Sequence, residues 1–285
     1  MKIAVFSAFP QELSHIRKDS VSADGPPGRA FPISLKIYRE AELIAVETGM
    51  SIPRIESVFK YVLCEHRPDI VLSCGFGGAL YYRADIGDLV LASRYFFMTR
   101  EGAIELPQLS ARATHFQRSL WNGPITTRLQ KKVAVKEGSF LTLSQWAAKS
   151  KLRKEIPRDA EYPVCDRETL HLARLAYTAN LPFFAIRAIT DRVDEDIPEE
   201  LFQVTDENGM YSLSRSLSLL LSRPSLIPDS LALGRHAAIA AKSLGEAVKA
   251  LAEVVGSSRM AMRSFLTGRA GRSEARSGKR EDRFR

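Results

Sequence analysis

Three short apolar runs constrain this chain more than any other feature. Residues 2–8 (KIAVFSA), 69–75 (DIVLSCG) and 182–190 (PFFAIRAIT) carry nearly continuous aliphatic and aromatic side chains over the length of a strand. Runs of that kind read as strands buried on both faces, and such strands need helices to cover them. The intervening segments supply the helices. Residues 54–66 place Ile55, Val58, Phe59 and Val62 on one face, residues 145–154 and 166–180 are helical in pattern, and an amphipathic Ala- and Leu-rich stretch covers about 229–255. Residues 9–12 read as a helix start with Pro10 near its first position. Residues 34–40 and 43–49 read as a hairpin, 88–97 and 132–142 as strands, and 111–129 as a partly helical excursion outside the sheet. The expected fold is α/β, a three-layer sandwich around a central mixed, mostly parallel sheet. Ligands of such sheets bind beyond the carboxyl ends of the strands. The places to search are therefore residues 8–12, 49–51, 75–79 and Asp191.

The formal charge of +8 points to nucleic acid until it is located. From residue 257 onward nine Arg and Lys stand against three acids, so the tail holds +6 and the body is nearly neutral. The expected organisation is one domain over residues 1–256 and a basic, disordered tail over 257–285. A solvated tail is the plain reading; an arm for RNA, an anionic membrane surface or a partner is the alternative. Cys64, Cys74 and Cys165 include no CxxC pair and read as free buried thiols of a reducing compartment. No apolar run reaches the roughly 18 residues of a membrane span, and a cytoplasmic location is expected. His15, His66, His115, His171 and His236 show no ligand spacing, so neither a metal nor a cofactor is expected.

Three acids stand out. Asp191 ends the most apolar strand, where desolvation would suit a general acid; it also reads as a turn residue before Asp194. Glu12 falls in the first turn of the expected helix, where the dipole favours a carboxylate, either as a general base or as simple dipole complementarity. Glu168 opens another helix and would suit a bidentate grip on two sugar hydroxyls, or merely a helix-start acid. The stretch Gly75-Phe76-Gly77-Gly78-Ala79 is not a dinucleotide fingerprint, because Leu80 stands where the third glycine belongs. It reads as a tight turn or as a loop that lets backbone approach a sugar. Phe9 and Trp146 read as core or as base-stacking rings.

Taken together, these stretches resemble the nucleoside phosphorylase superfamily, and within it the nucleosidase branch. The opening KIAVFSAFPQE, the segment TGMS at 48–51, PDIVLSCGFGGAL at 68–80 and IGDLVLA at 86–92 follow the family's order. CDRET at 165–169 resembles its ribose motif, and PFFAIRAITD at 182–191 resembles its purine motif. The resemblance implies that Asp191 protonates a purine, that Glu168 binds the ribose hydroxyls and that Glu12 activates water. It places Arg167, Met50, Gly75, Phe76, Gly77, Trp146 and Phe9 around the substrate, and it implies a homodimer. Arg167 stands where the family usually has Met, and Phe76 where many nucleosidases have a hydroxyl. Residues 222–244 are also similar to the C-terminal segment of hopanoid-associated members, which implies adenosylhopane as a substrate. The expected activity is hydrolysis of the ribose–adenine bond of a 5′-substituted adenosine. A phosphate-dependent phosphorylase is the alternative, although the family's Gly-Asp-Pro-x-Arg phosphate loop is replaced by Phe9-Pro10-Gln11-Glu12. A nucleoside sensor without turnover is a third reading, favoured by Arg167 and Phe76.

Overall fold

A computed structural model describes residues 1–18, 20–23, 32–38, 41–111, 131, 134–202, 204–206 and 210–257. The excursion after residue 111 and the basic tail lie outside the described residues, apart from Ser257 at the end of the last helix.

The strands are β1 (Lys2–Ser7), β2 (Val21–Ala23), β3 (Ile33–Tyr38), β4 (Ala41–Glu47), β5 (Ile70–Ala79), β6 (Leu89–Thr99), β7 (Gly102–Glu105), β8 (Val135–Thr142), β9 (Val164–Asp166) and β10 (Phe183–Asp191). The α-helices are α1 (Ser14–Arg17), α2 (Ile52–His66), α3 (Lys149–Glu155), α4 (Thr169–Thr178), α5 (Leu213–Ser222) and α6 (Ile227–Ser257). Among the described residues, all ten strands join one mixed sheet. Its centre is parallel, with β1 between β4 and β5 and with β5 paired to β10. β3 and β4 form the expected antiparallel hairpin. The fold is thus α/β, as expected.

Side-chain alternation explains the layering. On β1 and β4, Ile3, Val5, Leu43 and Ala45 face α1 and α6, where they meet Leu13, Ile16, Leu244 and Val248. The alternate residues Ala4, Phe6, Ile44 and Val46 face α2 and α4, where they meet Ile55, Val58, Phe59 and Leu172. A strand covered on both faces has no polar side to show, which is why these runs are apolar throughout.

Three local expectations are corrected. First, Gly75 to Ala79 is not a turn: β5 continues straight through it. The glycines are there for close approach. A Cβ on Gly77 would lie 2.5 Å from Val164 Cγ1, and one on Gly78 would lie 2.7 Å from Asp191 Oδ2. This extension lets β5 pair with both β10 and β9, so that β5, β9, β8, β6 and β10 close on themselves. Second, the helix expected from residue 166 begins only at Thr169, and the preceding residues form β9. Asp166 ends this strand between β8 and β5, where Thr142 Oγ1 donates to its Oδ1 at 3.0 Å. Third, residues 10–13 form tight i→i+3 turns, and α1 starts at Ser14. The cysteines are free, but only Cys74 is fully buried, and Cys64 is exposed. Among the described residues, no helix is long and apolar enough to cross a membrane.

Candidate active site

The carboxyl ends of β1, β4, β5, β8, β9 and β10 converge on one cleft. Phe9, Glu12, Met50, Phe76, Gly77, Trp146, Arg167, Glu168 and Asp191 all line it. Gly75 lies behind it: a Cβ there would stand 2.8 Å from Glu12 Oε1. Trp146 is 39% exposed at the rim, and Phe9 and Met50 contribute further apolar wall.

Glu12 is not held by a helix dipole. Its two oxygens are fixed by backbone donors from separate elements: Phe9 N–H donates to Oε2 at 2.9 Å and Phe76 N–H to Oε1 at 2.7 Å. The residue is only 3% exposed. Burial pushes its carboxyl up to about 7, against the opposing pull of those two N–H groups and the Arg187 guanidinium. Dipole-favoured ionisation, the sequence expectation, is thereby overturned.

Glu168 sits at the N-cap of α4 without capping the helix through its side chain. Burial raises its pKa, the Asp166 charge adds to the rise, and Arg187 opposes both. Arg187 is the hub of this side of the cleft. It is 2% exposed within an apolar strand. Its Nη2 donates to Ser73 Oγ at 3.0 Å and to Thr169 Oγ1 at 2.7 Å, and Nη1 donates to its neighbour's carbonyl at Ile186. Nε lies 3.1 Å from Asp166 Oδ2, at ion-pair distance without hydrogen-bond alignment. Glu168 Oε2 is 4.0 Å from Nη2. One guanidinium therefore faces Asp166, Glu168 and Glu12. Burial outweighs its pull, so Glu12 and Glu168 hold protons more tightly than in water.

Asp191 ends β10 with only 6% exposure. Thr190 Oγ1 donates to its Oδ1 at 2.7 Å, and the ammonium of Lys149 pairs with Oδ2. The same ammonium donates to the Arg192 carbonyl. From behind, His236 of α6 bonds the Thr190 carbonyl at 2.9 Å and steadies the strand end. Cys165 packs beside the pair, its thiol pushed up to about 12 by burial and by the Asp191 charge. Arg167 reaches across the mouth to the Ser144 carbonyl at 3.5 Å and Met50 Sδ at 4.0 Å, both weak contacts.

Lys149, Arg187, Thr190 and Asp166 belong to the site without having been singled out from the sequence. Arg187 left a signal, a lone charge inside an apolar strand. Lys149 left none, because KSKLRKE reads as an ordinary solvated helix.

The fold has known counterparts. A curated 5′-methylthioadenosine/S-adenosylhomocysteine nucleosidase of Staphylococcus aureus is 19% identical over 196 residues, which cover 66% of this chain and 84% of the relative. A nucleosidase of the same name from Colwellia psychrerythraea, solved with adenine, superposes with TM-score 0.61 at 14% identity, covering 89% of this chain and 95% of the other. Futalosine hydrolase of Helicobacter pylori superposes with TM-score 0.55 at 17% identity, covering 87% of this chain and 97% of the other. These likenesses establish the fold. The sequence also matches the family model described as "Phosphorylase superfamily" over residues 2–222, and on that match the chain belongs to the phosphorylase superfamily.

Proposed function

We propose that this protein is a purine N-glycosidase that hydrolyses the ribose–adenine bond of a 5′-substituted adenosine. The observation that carries the reading is the convergence of Glu12, Glu168 and Asp191, from three separate strand ends, on one cleft. Breaking a glycosidic bond develops positive charge on the sugar. A cleft lined by Glu12, Glu168 and Asp191 presents carboxyl oxygens to such a cation, which favours the transition state over the neutral substrate. Asp191 faces the base and delivers a proton to N7. Glu168 accepts the 2′- and 3′-hydroxyls. Glu12, held by two backbone donors, orients and deprotonates the attacking water.

Water is favoured over phosphate by Glu12 itself. A phosphorylase needs a cationic or N–H-lined pocket for its anion. Here a carboxyl group occupies the place of the nucleophile's partner, and the Phe9 and Phe76 N–H groups are already engaged by it. The curated relatives are nucleosidases, in keeping with this choice. For the 5′-substituent, the similarity of residues 222–244 to hopanoid-associated members makes adenosylhopane the specific substrate to try.

Adenosine, 5′-methylthioadenosine, S-adenosylhomocysteine and detergent-dispersed adenosylhopane should be incubated with and without phosphate. Free adenine and free sugar, with rates indifferent to phosphate, are expected. Sugar 1-phosphate formed only with phosphate would replace hydrolysis by phosphorolysis. Binding without base release would favour a sensor.

A second expectation concerns Gly78. An alanine Cβ there would stand 2.7 Å from Asp191 Oδ2, 3.0 Å from Cys165 Sγ and 3.2 Å from Lys149 Cε, so the acid and its partner must move. Displacing a reacting group by a fraction of an ångström to an ångström costs on the order of 100-fold. Overpacking of this kind costs about 1–3 kcal/mol of stability. Gly78→Ala should therefore fold, melt a few degrees lower, and lose most of its turnover in the same assay.

A further inference from the structure

Lys149 has no part in the scheme above, yet it lies in the same cleft. It is 5% exposed, its ammonium touches Asp191 Oδ2, and its backbone N–H donates to Asp196 Oδ1 at 3.0 Å. It is also the first residue of α3. A lysine there opposes the helix dipole and forfeits about 0.3–1 kcal/mol. Burying an ammonium costs more. Local stability therefore does not explain its position. Among the described residues, the carboxylate that its ammonium meets is that of the residue proposed to protonate the base, and Thr190 occupies that residue's other oxygen.

We propose that Lys149 is a positioning residue for the general acid, acting through Asp191 as the source of the proton that reaches the purine. The proposal rests on the glycosidase reading. One proton passes from Lys149 Nζ to Asp191 as Asp191 passes one to purine N7. The C1′–N9 bond breaks, its electron pair stays on the base, and the base leaves neutral. Water adds to C1′ and gives its proton to Glu12. Lys149 has then lost one proton and Glu12 has gained one; exchange with bulk water restores both. A carboxylate that must be neutral for one instant of each turnover is thus kept beside a donor that carries only N–H groups.

The test uses the full-length protein with two substrates that differ in leaving group. 5′-Methylthioadenosine needs a proton on its base, whereas p-nitrophenyl β-D-ribofuranoside releases a phenolate that needs none. Lys149→Met should lower kcat on the nucleoside by about 100-fold or more. On the nitrophenyl riboside the loss should stay within about threefold. Lys149→Arg, which keeps a charge and N–H donors but does not give up a proton, should hold Asp191 in place and recover little of the nucleoside rate. Asp191→Asn should show the same split between substrates. The double variant should lose no more than the worse single one, as groups acting in one relay do. A Lys149→Met protein that loses both substrates alike, or neither, overturns the relay while leaving the glycosidase reading intact. The nucleoside that the parent cleaves fastest among the four above takes the place of 5′-methylthioadenosine, and a parent protein that releases base from none of them overturns that reading and the relay with it.

Discussion

Asp191→Asn is expected to reduce turnover of the natural nucleoside by about 10²–10⁴-fold, the usual worth of a positioned general acid. Asparagine keeps the shape and can still accept from Thr190 Oγ1, which donates to Asp191 at 2.7 Å. It cannot pass a proton to N7. The substitution should also lower stability, because the buried Lys149 ammonium loses its ion pair and is left with the Arg192 carbonyl among the described residues. Removing one member of a buried pair costs about 3–5 kcal/mol. Combining it with Lys149→Met should return much of that stability without returning activity. Thermal melts and initial rates, read side by side, separate the two effects. Near-normal turnover in Asp191→Asn would remove this residue from the chemistry.

Glu12→Gln should lose hydrolysis by a similar factor of about 10²–10⁴, with a pH signature of its own. The base must be ionised to take a proton from water. With its carboxyl at about 7, kcat/KM of the parent should fall roughly tenfold per unit as pH drops below that value. The variant's residual rate should lack this limb. Stability should move the other way. In the folded protein Glu12 titrates near 7 rather than at the ordinary 4.5, so between those values the folded state binds more protons than the unfolded one. Stability from this group is therefore greatest at low pH and is lost as pH rises through that window, by about 3 kcal/mol at 1.36 kcal/mol per unit. A neutral amide escapes that cost, though it accepts only one of the two backbone N–H bonds. Glu12→Gln should accordingly be no less stable than the parent at pH 8 while being nearly inactive. A residue whose loss harms function and spares stability is held for its chemistry.

Much of this was legible in the chain because burial leaves a periodic mark. β1, β4, β5 and β10 are covered on both faces and so could be read directly, and their carboxyl ends located the cleft. Glu12 and Asp191 are the acids that follow two of those ends. What the chain did not disclose depends on contacts between distant residues. β9 is three residues long, too short to show a period, and exists because Val164 and Cys165 pair with β8 and β5. The glycines of β5 look like a turn until Val164, Arg187 and Asp191 are seen crowding them. The state of Glu12 is set by burial, against the pull of Phe76 and Arg187, rather than by a helix of its own, and no local pattern shows that. Lys149 was invisible for the same reason: only the fold brings the start of α3 to the end of β10.

The most direct measurement is a crystal structure with a non-hydrolysable 5′-methylthioadenosine analogue bound. It should place N7 of the base within hydrogen-bond distance of Asp191, the 2′- and 3′-hydroxyls on Glu168, and a water between Glu12 and C1′. An analogue seated elsewhere, or one that leaves Glu12 or Asp191 without contact to it or to that water, would contradict the account.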